Sequence, residues 1–248
     1  MPAAPSQPAI VIPTYNESEN IVRLVTEILA LPVGAQVIVV DDNSPDGTGA
    51  LLDAAAAGQP RLHVVHRPAK LGLGSAHIAG IRLAESLGLD PIGTMDADFS
   101  HHPRYIPDLL AGLARSDVMI GSRYVAGGGT RDFGWHRRLL SRTANSFART
   151  LLGLTASDCT AGFRLYRRET LASIDLDSIF SNGYSFLIEI LFLLQSAGWR
   201  IGETPILFED RREGTSKISR KEIAKAVYTV LRLFVRRGRV SSSRPRIP

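Results

Sequence analysis

The chain has 248 residues, of which 44% are hydrophobic, 21% charged and 7% aromatic, and its formal net charge is +5. These values are typical of a folded globular protein and exclude a disordered or fibrous chain, and the single cysteine, Cys159, excludes an internal disulfide framework. The excess of basic residues permits a phosphorylated small molecule, an acidic lipid or a nucleic acid as a partner. Because aromatic residues are few and no groove-reading motif is present, we expect no nucleic-acid partner.

Apolar runs and helical spacing alternate along the first half of the chain. The pattern predicts strands at 9–12, 36–40, 62–65 and 91–95, and helices at 19–30, 49–57 and 72–87. Alternating units of this kind predict a Rossmann-like α/β fold, with a mostly parallel sheet and helices on both faces. In such sheets a ligand binds outside the carboxyl ends of the strands.

The second half is less regular. Here the pattern predicts strands at 118–120 and 201–208, a loop and strand at 158–167, and helices at 135–152, 184–197 and 220–237. We expect one domain at 9–237, a flexible leader at 1–8 without a secretory signal, and a disordered basic tail at 238–248. No apolar run reaches the ~18 residues that a membrane-spanning helix needs.

Two of these helices, 135–152 and 220–237, are amphipathic and basic. The first carries Leu140, Ala144, Phe147 and Leu151 on one face, and the last carries Ile223, Val227, Val230, Leu231 and Phe234. The pattern is typical of a helix in a membrane interface, but it also describes a surface helix packed on a core. Basic residues that continue past the last helix favour membrane contact.

Asp96 and Asp98 directly follow the fourth predicted strand. Residues two apart in an extended chain project to the same side, so the pair predicts a hard-oxygen site for Mg²⁺ or Mn²⁺. An isolated Asp-x-Asp is a weak signal, but Glu17 and Asp42 fall at the same edge of the sheet by connectivity. His101 and His102, which follow the pair, could be metal ligands but are expected to have a structural or supporting role.

Several segments in fixed order carry a resemblance to a known family: IPTYNE (12–17), VDDNSPDGT (40–48), LGLG (71–74), MDADFSHHP (95–103), GSRY (121–124), GFRLYR (162–167), GY (183–184) and DRREGTSK (210–217). Together they resemble the dolichol-phosphate mannose synthase family of inverting GT-A glycosyltransferases. The resemblance implies the GT-A fold with C-terminal amphipathic interface helices. It implies metal-dependent transfer of mannose from GDP-mannose to a polyprenyl (dolichyl-type) monophosphate in one inverting displacement, which gives polyprenyl-phosphate mannose.

The resemblance also assigns site residues. It implies guanosine contacts for Pro13, Tyr15, Glu17, Val40 and Asp42, metal and diphosphate contacts for Asp96, Ala97 and Asp98, and a phosphate clamp of Arg123, Arg211 and Lys217. Asp98, Arg123, Arg211 and Lys217 are the predicted catalytic residues, and Arg123, Arg137 and Ser141 are the predicted ligands of the acceptor phosphate. Some relatives place Gln where this chain has Ser100, so a third protein ligand to the metal is not expected.

The chemistry of a lipid phosphate acceptor is consistent with the implied mannosyl transfer. A lipid phosphate is already anionic at neutral pH, so it needs no general base, and the sequence shows no obvious His–carboxylate or Ser–His arrangement. Since the spanning segments of some relatives are missing, we expect a peripheral protein at the cytoplasmic face of a membrane, held by its own interface helices or by a membrane-anchoring protein partner.

Three alternatives remain. Glucose transfer from UDP-glucose to polyprenyl phosphate uses the same fold, and testing both donors separates the two reactions. A phosphatase with an aspartyl-phosphate intermediate is suggested by Asp96-x-Asp98-x-Ser100, but in those enzymes the motif usually ends the first strand and here it ends the fourth. Processive polysaccharide synthesis is disfavoured because the chain has no Gln-x-x-Arg-Trp element.

Overall fold

The computed structural model describes residues 7–131, 134–209 and 220–240, except for the side chains of 136–137, 220–222 and 237–240. The described residues form nine strands and eight α-helices. In chain order these are β1 (Ala9–Thr14), α1 (Ile21–Leu29), β2 (Gln36–Asp41), α2 (Thr48–Ala56), β3 (Leu62–His66), α3 (Leu73–Ser86), β4 (Ile92–Thr94), α4 (Ile106–Gly112), β5 (Val118–Ser122), β6 (Gly129–Arg131), α5 (Trp135–Leu152), β7 (Arg164–Tyr166), α6 (Arg168–Ala172), α7 (Tyr184–Ser196), β8 (Ile201–Pro205), β9 (Leu207–Glu209) and α8 (Arg220–Val240).

The main sheet has seven strands in the order β3-β2-β1-β4-β7-β5-β8. All neighbours pair in parallel except β7, which runs antiparallel between β4 and β5. Its central strands are buried on both faces, with side chains from α1 and α4 in one apolar cluster and from α3 and α7 in another. The predicted mostly parallel sheet with helices on both faces is therefore confirmed.

The predicted strand at 201–208 is wrong as a single element. The strand is interrupted at Ile206. The Ile206 N–H donates a hydrogen bond to the Ser122 carbonyl (3.0 Å), and the Ile206 carbonyl accepts one from the Gly129 N–H (3.0 Å). These bonds move the chain from the main sheet into a second, two-stranded sheet, in which β9 pairs in parallel with β6. Periodicity did not predict β6, α4 or α6, which are short.

The ends of the predicted domain are partly described. In the predicted leader, the carbonyls of Gln7 and Pro8 accept hydrogen bonds from the backbone N–H groups of Asp90 (3.1 Å) and Gln36 (2.8 Å), and residues 1–6 lie outside the described residues. At the other end, α8 extends to Val240, so 238–240 are helical, and 241–248 lie outside the described residues.

The two amphipathic helices bury only narrow strips. On α8, which packs against α5 and α7, Val230 and Leu233 are buried, while the rest of the predicted apolar face is 37–48% exposed: Ile223, Val227, Leu231 and Phe234. On α5, Ala148 and Leu152 are buried, while Leu140 and Phe147 are exposed. Most of both predicted apolar faces therefore points outward. None of the helices in the described part of the chain is long and apolar enough to cross a membrane.

Candidate active site at the carboxyl ends of the strands

The loops after β1 and β2 are joined by hydrogen bonds. Three backbone N–H groups of the first loop donate to side chains of the second: Asn16 to Ser44 Oγ (3.0 Å), Glu17 to Thr48 Oγ1 (3.1 Å) and Ser18 to Asp46 Oδ2 (3.1 Å). Burial raises the pKa of Asp46, but hydrogen bonds from Thr48 and from the Ser18 backbone outweigh this effect and lower the pKa to about 2. The segment that contains the predicted guanosine residues Pro13, Tyr15 and Glu17 is thus held in place by the protein alone.

Asp42 lies beside Arg67, a residue that sequence reasoning missed. Arg67 Nη1 is 3.0 Å from Asp42 Oδ1, and both side chains are less than 10% exposed. The contact is an ion pair without hydrogen-bond geometry, so Oδ1 accepts no hydrogen bond from the described residues and keeps free lone pairs. The Gly72 N–H donates to the other oxygen (3.3 Å). Arg67 directly follows β3, so the rule of polar residues at strand ends could have found it.

The other predicted guanosine residues differ in exposure. Val40 is fully buried in β2, whereas Pro13, Tyr15 and Glu17 are partly exposed. The Lys70 ammonium lies 3.8 Å from the centre of the Tyr15 ring, which brings a cation to this end of the sheet.

Asp96 and Asp98 are both partly exposed, while Ala97 between them is buried. The Asp96 side chain is 30% exposed, and the Ser100 N–H donates to Asp98 Oδ1 (3.0 Å). Gly162 faces Asp96 so closely that an added Cβ would lie 2.9 Å from Oδ1.

These carboxylates suit a divalent cation that takes only one or two ligands from the protein. No group of three or more His, Cys, Asp or Glu side chains converges on a metal position within the described residues. Mg²⁺ characteristically binds one or two carboxylates and takes its remaining ligands from water and substrate phosphates. A pair of accessible carboxylates therefore fits a cation that arrives with a nucleoside diphosphate.

His101 supports the aspartates from inside the protein. Its ring is buried, stacks on Phe163 at 5.4 Å and meets the edge of Phe208 at 5.3 Å, and Nδ1 lies 3.4 Å from Asp96 Oδ2. Burial lowers the pKa of His101 although Asp96 and Asp98 oppose this shift. These contacts agree with the structural or supporting role expected from the sequence.

Arg123 follows β5 and is fixed by Asp158, a second residue that the sequence did not predict. Nε and Nη2 each donate to one oxygen of Asp158 at 2.7 Å, and Nη2 also donates to Thr160 Oγ1 (2.9 Å). Asp158 is fully buried. Burial raises its pKa, but the hydrogen bonds and charge of Arg123 outweigh this effect and lower it. The bidentate contact with Asp158 thus holds Arg123 in one orientation.

The remaining predicted site residues are only partly accounted for. Ser141, on α5, accepts a hydrogen bond from the Tyr124 hydroxyl (2.7 Å). Arg211 and Lys217 lie outside the described residues, as does the side chain of Arg137. The structure thus gathers the loops after β1, β2 and β4 and Arg123 along one edge of the sheet.

Comparisons with known proteins identify the family of the chain. Residues 9–174 match the family model of glycosyl transferase family 2. The chain is 44% identical to the polyprenol monophosphomannose synthase of Mycolicibacterium smegmatis, over 95% of this chain and 89% of that protein. It is 43% identical to the undecaprenyl-phosphate mannosyltransferase of Micrococcus luteus, over 90% of this chain and 91% of that protein.

A solved structure of lower identity shows the same fold. The glucosyl-3-phosphoglycerate synthase from Mycobacterium tuberculosis, in complex with Mn²⁺, UDP and glucosyl-3-phosphoglycerate, is 21% identical, with a TM-score of 0.64 over 94% of this chain and 81% of that one. This likeness confirms the predicted GT-A-like fold. The chain is a glycosyltransferase that belongs to glycosyl transferase family 2 and, within it, to the group of the polyprenyl-phosphate mannose synthases.

Proposed function

We propose that this glycosyltransferase moves mannose from GDP-mannose to a polyprenyl monophosphate, such as a dolichyl-type phosphate, and inverts the anomeric carbon. The observation that carries the proposal is the accessible pair Asp96 and Asp98 at the end of β4, on the edge of the sheet where the oriented Arg123 also lies. The names of the two relatives support mannose and a polyprenyl acceptor.

The nucleoside end of the donor binds at the loops after β1 and β2. Tyr15 offers an apolar ring beside a cation, and Asp42, held directly after β2 by Arg67 and the Gly72 N–H, is proposed as the carboxylate that meets the base or ribose. Because these loops are already joined by hydrogen bonds, little ordering is needed when the donor binds.

Mannosyl transfer then requires charge stabilisation rather than proton transfer. An oxygen of the lipid phosphate attacks C1 of mannose, the bond from C1 to the GDP oxygen breaks, and GDP leaves with that electron pair. Asp96 and Asp98 would hold Mg²⁺ or Mn²⁺, which when bound neutralises charge on the departing diphosphate. Arg123 is proposed to donate to the diphosphate through Nη1, which makes no hydrogen bond to Asp158, and Arg211 and Lys217 are proposed to complete the clamp.

Product analysis tests the donor, the acceptor and the metal. Purified protein is incubated with undecaprenyl phosphate and labelled GDP-mannose or UDP-glucose, with and without EDTA. We expect a lipid-linked mannose of inverted configuration, formed only from GDP-mannose, lost in EDTA and restored by Mg²⁺ or Mn²⁺. If lipid-linked glucose from UDP-glucose is the main product, UDP-glucose replaces GDP-mannose as the proposed donor. Full activity in EDTA would show that the reaction needs no metal ion.

We also propose that α5 and α8 dock the protein on a membrane surface. Large apolar side chains of α8 are exposed beside Arg232 and Arg236, and Val235 is 75% exposed. A helix with exposed apolar residues and arginines around them suits the interface of a bilayer with anionic lipids. We place the protein at the cytoplasmic face, because one free, buried cysteine suits a reducing compartment.

Vesicle co-sedimentation tests the docking proposal. The triple variant Leu231→Ser, Phe234→Ser and Val235→Ser should bind vesicles of phosphatidylglycerol and phosphatidylcholine at least about tenfold more weakly, since each buried apolar side chain contributes roughly 1.5–3 kcal/mol. The control carries Leu51→Ser and Leu87→Ser, which are similarly exposed on α2 and after α3, and should bind normally. Equal binding by wild type and the triple variant would contradict docking through α8.

A further inference from the structure

Glu189 is the only charged residue of α7, is 2% exposed, and takes no part in the proposed reaction. Its carboxylate accepts hydrogen bonds from the loop before α7 (residues 180–183). Oε2 accepts from the Ser181 N–H (2.9 Å) and from the Ser181 hydroxyl, and Oε1 accepts from the Phe180 N–H (3.4 Å). A buried carboxylate is costly unless such donors compensate it. Glu189 therefore fixes the position of this loop.

Asn182, in the same loop, caps the N-terminus of α3. Asn182 Oδ1 accepts a hydrogen bond from the Gly74 N–H (3.2 Å), one of the first N–H groups of α3, which have no partner within the helix. Gly72, at the N-cap position, has no side chain that could do this. It also passes Asn182 so closely that an added Cβ would clash with the Asn182 amide. A residue 108 positions further along the chain therefore holds the first turn of α3.

The first turn of α3 in turn holds Asp42 and Arg67. The Gly72 N–H donates to Asp42 Oδ2 (3.3 Å). Arg67, which lies 3.0 Å from Asp42 Oδ1, donates to Ser75 Oγ (2.8 Å) and to the Gly72 carbonyl (3.4 Å). Both charged side chains are less than 10% exposed, so a shift of the turn is transmitted to them through close packing. Hydrogen bonds thus connect the loop before α7, through α3, to Asp42.

We infer that Asn182 is a positioning residue for the nucleoside end of the donor site, and that Glu189 acts through it by holding the loop before α7. The inference rests on the proposed function, because it takes Asp42 as the carboxylate that meets the base or ribose. Asn182 is exposed, so it does not fill the core. The packing of α3 on α7 depends instead on buried rings, since His77 stacks on Phe186 with 5.6 Å between the ring centres.

A matched pair of variants separates positioning from stability. Asn182→Ala removes the acceptor of the Gly74 N–H. The control is Gln195→Ala, because Gln195 lies on α7 and bonds away from the donor site, to the Gly153 carbonyl (2.8 Å) and the Thr155 N–H (2.8 Å). Both changes should lower the urea midpoint of unfolding by a similar small amount. Only Asn182→Ala should raise the Kd of GDP, by about five- to tenfold, as when one hydrogen bond to a charged group is weakened.

Steady-state kinetics and a conservative variant sharpen this test. Because Asp42 is proposed to meet a part of the donor remote from the reacting carbon, Asn182→Ala should raise KM for GDP-mannose and leave kcat and the KM for undecaprenyl phosphate unchanged. Asn182→Asp keeps an acceptor oxygen beside the N-terminus of α3, which favours a negative charge, and should retain the GDP affinity of wild type. Equal GDP affinity in wild type and Asn182→Ala would overturn the inference. Equal losses in the Ala and Asp variants, or in Asn182→Ala and Gln195→Ala, would also overturn it.

A double variant tests the role of Glu189. Glu189→Gln keeps the shape but replaces one acceptor oxygen by a donor, so it should raise the Kd of GDP by about two- to fivefold. Because Glu189 acts through Asn182, Glu189→Gln with Asn182→Ala should bind GDP as weakly as Asn182→Ala alone. Ser181→Ala, which keeps the buried carboxylate and removes one donor, takes the place of Glu189→Gln if that variant does not fold. Losses that multiply in the double variant would show that the two residues act independently.

A binding readout separates this inference from the proposed function. Equilibrium dialysis measures GDP bound to each variant, and product analysis measures mannose transfer by wild type. A GDP affinity that depends on Asn182, without mannose transfer by wild type, would support the positioning role and reject the reaction. Transfer by wild type with equal GDP affinity in all variants would support the reaction and reject the positioning role.

Discussion

The strand-end loops and the outer helices differ in how their polar groups are satisfied. In the loops after β1 and β2, side chains and backbone bond across from one loop to the other, and Asp42 is held beside Arg67. On α5 and α8, apolar side chains are exposed, and the side chains of Arg142 and Arg149 on α5 have no partner among the described residues. The difference suits two kinds of substrate, because a water-soluble nucleotide binds best to a preformed polar edge and a lipid needs accessible apolar surface.

Backbone strain is found in the strand-end loops. The non-glycine residues with positive φ in the described chain are Asn16, Asn43 and Phe99, and they follow β1, β2 and β4 respectively. Asn tolerates this conformation, but in Phe99, at φ 57°, it costs roughly 1–3 kcal/mol. Strain that persists in the loop of Asp96 and Asp98 is consistent with a position set by function.

The largest effect is expected from the strand-end acids. Asp98→Asn removes the charge with little change in shape, so mannosyl transfer should fall by about 10²–10³-fold or more while the fold is retained. Initial rates with GDP-mannose and undecaprenyl phosphate measure this, with circular dichroism as a check on folding. Asp108→Asn, an exposed acid in the first turn of α4, is the control and should keep full activity. A normal rate for the Asp98 variant would remove this residue from the mechanism.

The position of these acids could be predicted from sequence because it depends on local rules. Apolar runs predicted β1–β5, helical spacing predicted α5, and acids directly after an apolar run predicted the strand-end site. Asp158 was missed because its partner, Arg123, lies 35 residues away, and periodicity carries no information on such pairs. The break at Ile206 was missed for the same reason, since it depends on pairing with a strand far along the chain.

Breaking the buried ion pair of Arg123 and Asp158 should reduce the stability of the fold. Asp158→Asn leaves Arg123 charged and buried without its carboxylate, which should lower the free energy of unfolding by about 3–5 kcal/mol. Glu27→Gln breaks the exposed pair with Arg23 on α1 and should cost at most about 0.5 kcal/mol. Urea denaturation at pH 7 compares the two variants, and equal losses would contradict the distinction between the buried and the exposed pair.

The pair of Arg123 and Asp158 should also make the free energy of unfolding depend on pH. Because the folded pKa of Asp158 is lowered, its contribution to stability is complete above the unfolded pKa of about 4 and is lost as the pH falls through the lower, folded value. The stability difference between wild type and the Asn variant should therefore narrow only below about pH 4. A difference that narrows between pH 5 and 8 instead would assign the effect to another group.

A smaller effect is expected where the backbone sets the position of Asp96. In Gly162→Ala the new Cβ would lie 2.9 Å from Asp96 Oδ1, so the carboxylate must move. The Gly162 carbonyl accepts a hydrogen bond from Thr94 Oγ1 (2.7 Å), so the backbone itself moves less easily. We expect kcat to fall by about 10–100-fold, as for a small displacement in an active site. Gly58→Ala meets no atom within 4 Å and serves as the control. An unchanged kcat would show that the position of Asp96 is not critical.

The smallest effect is expected at the nucleoside end. Lys70→Gln removes the cation over the Tyr15 ring, an exposed contact that contributes about 0.5–1 kcal/mol, so GDP should bind about two- to fivefold more weakly. Equilibrium dialysis with labelled GDP measures this. Arg115→Gln, with the same change of charge at an exposed residue shortly before β5, at the amino ends of the strands, should bind GDP normally. A loss of affinity that is equal in both variants would reflect net charge alone.

The central claim is that Asp96 and Asp98 hold a divalent cation together with the nucleoside diphosphate, and electron paramagnetic resonance of Mn²⁺ with GDP tests it directly. The account predicts that wild type binds one Mn²⁺ per chain in a GDP-dependent manner. It also predicts that Asp96→Asn with Asp98→Asn abolishes this signal and leaves the fold intact. A GDP-dependent Mn²⁺ signal of the same strength in the double variant would contradict the account.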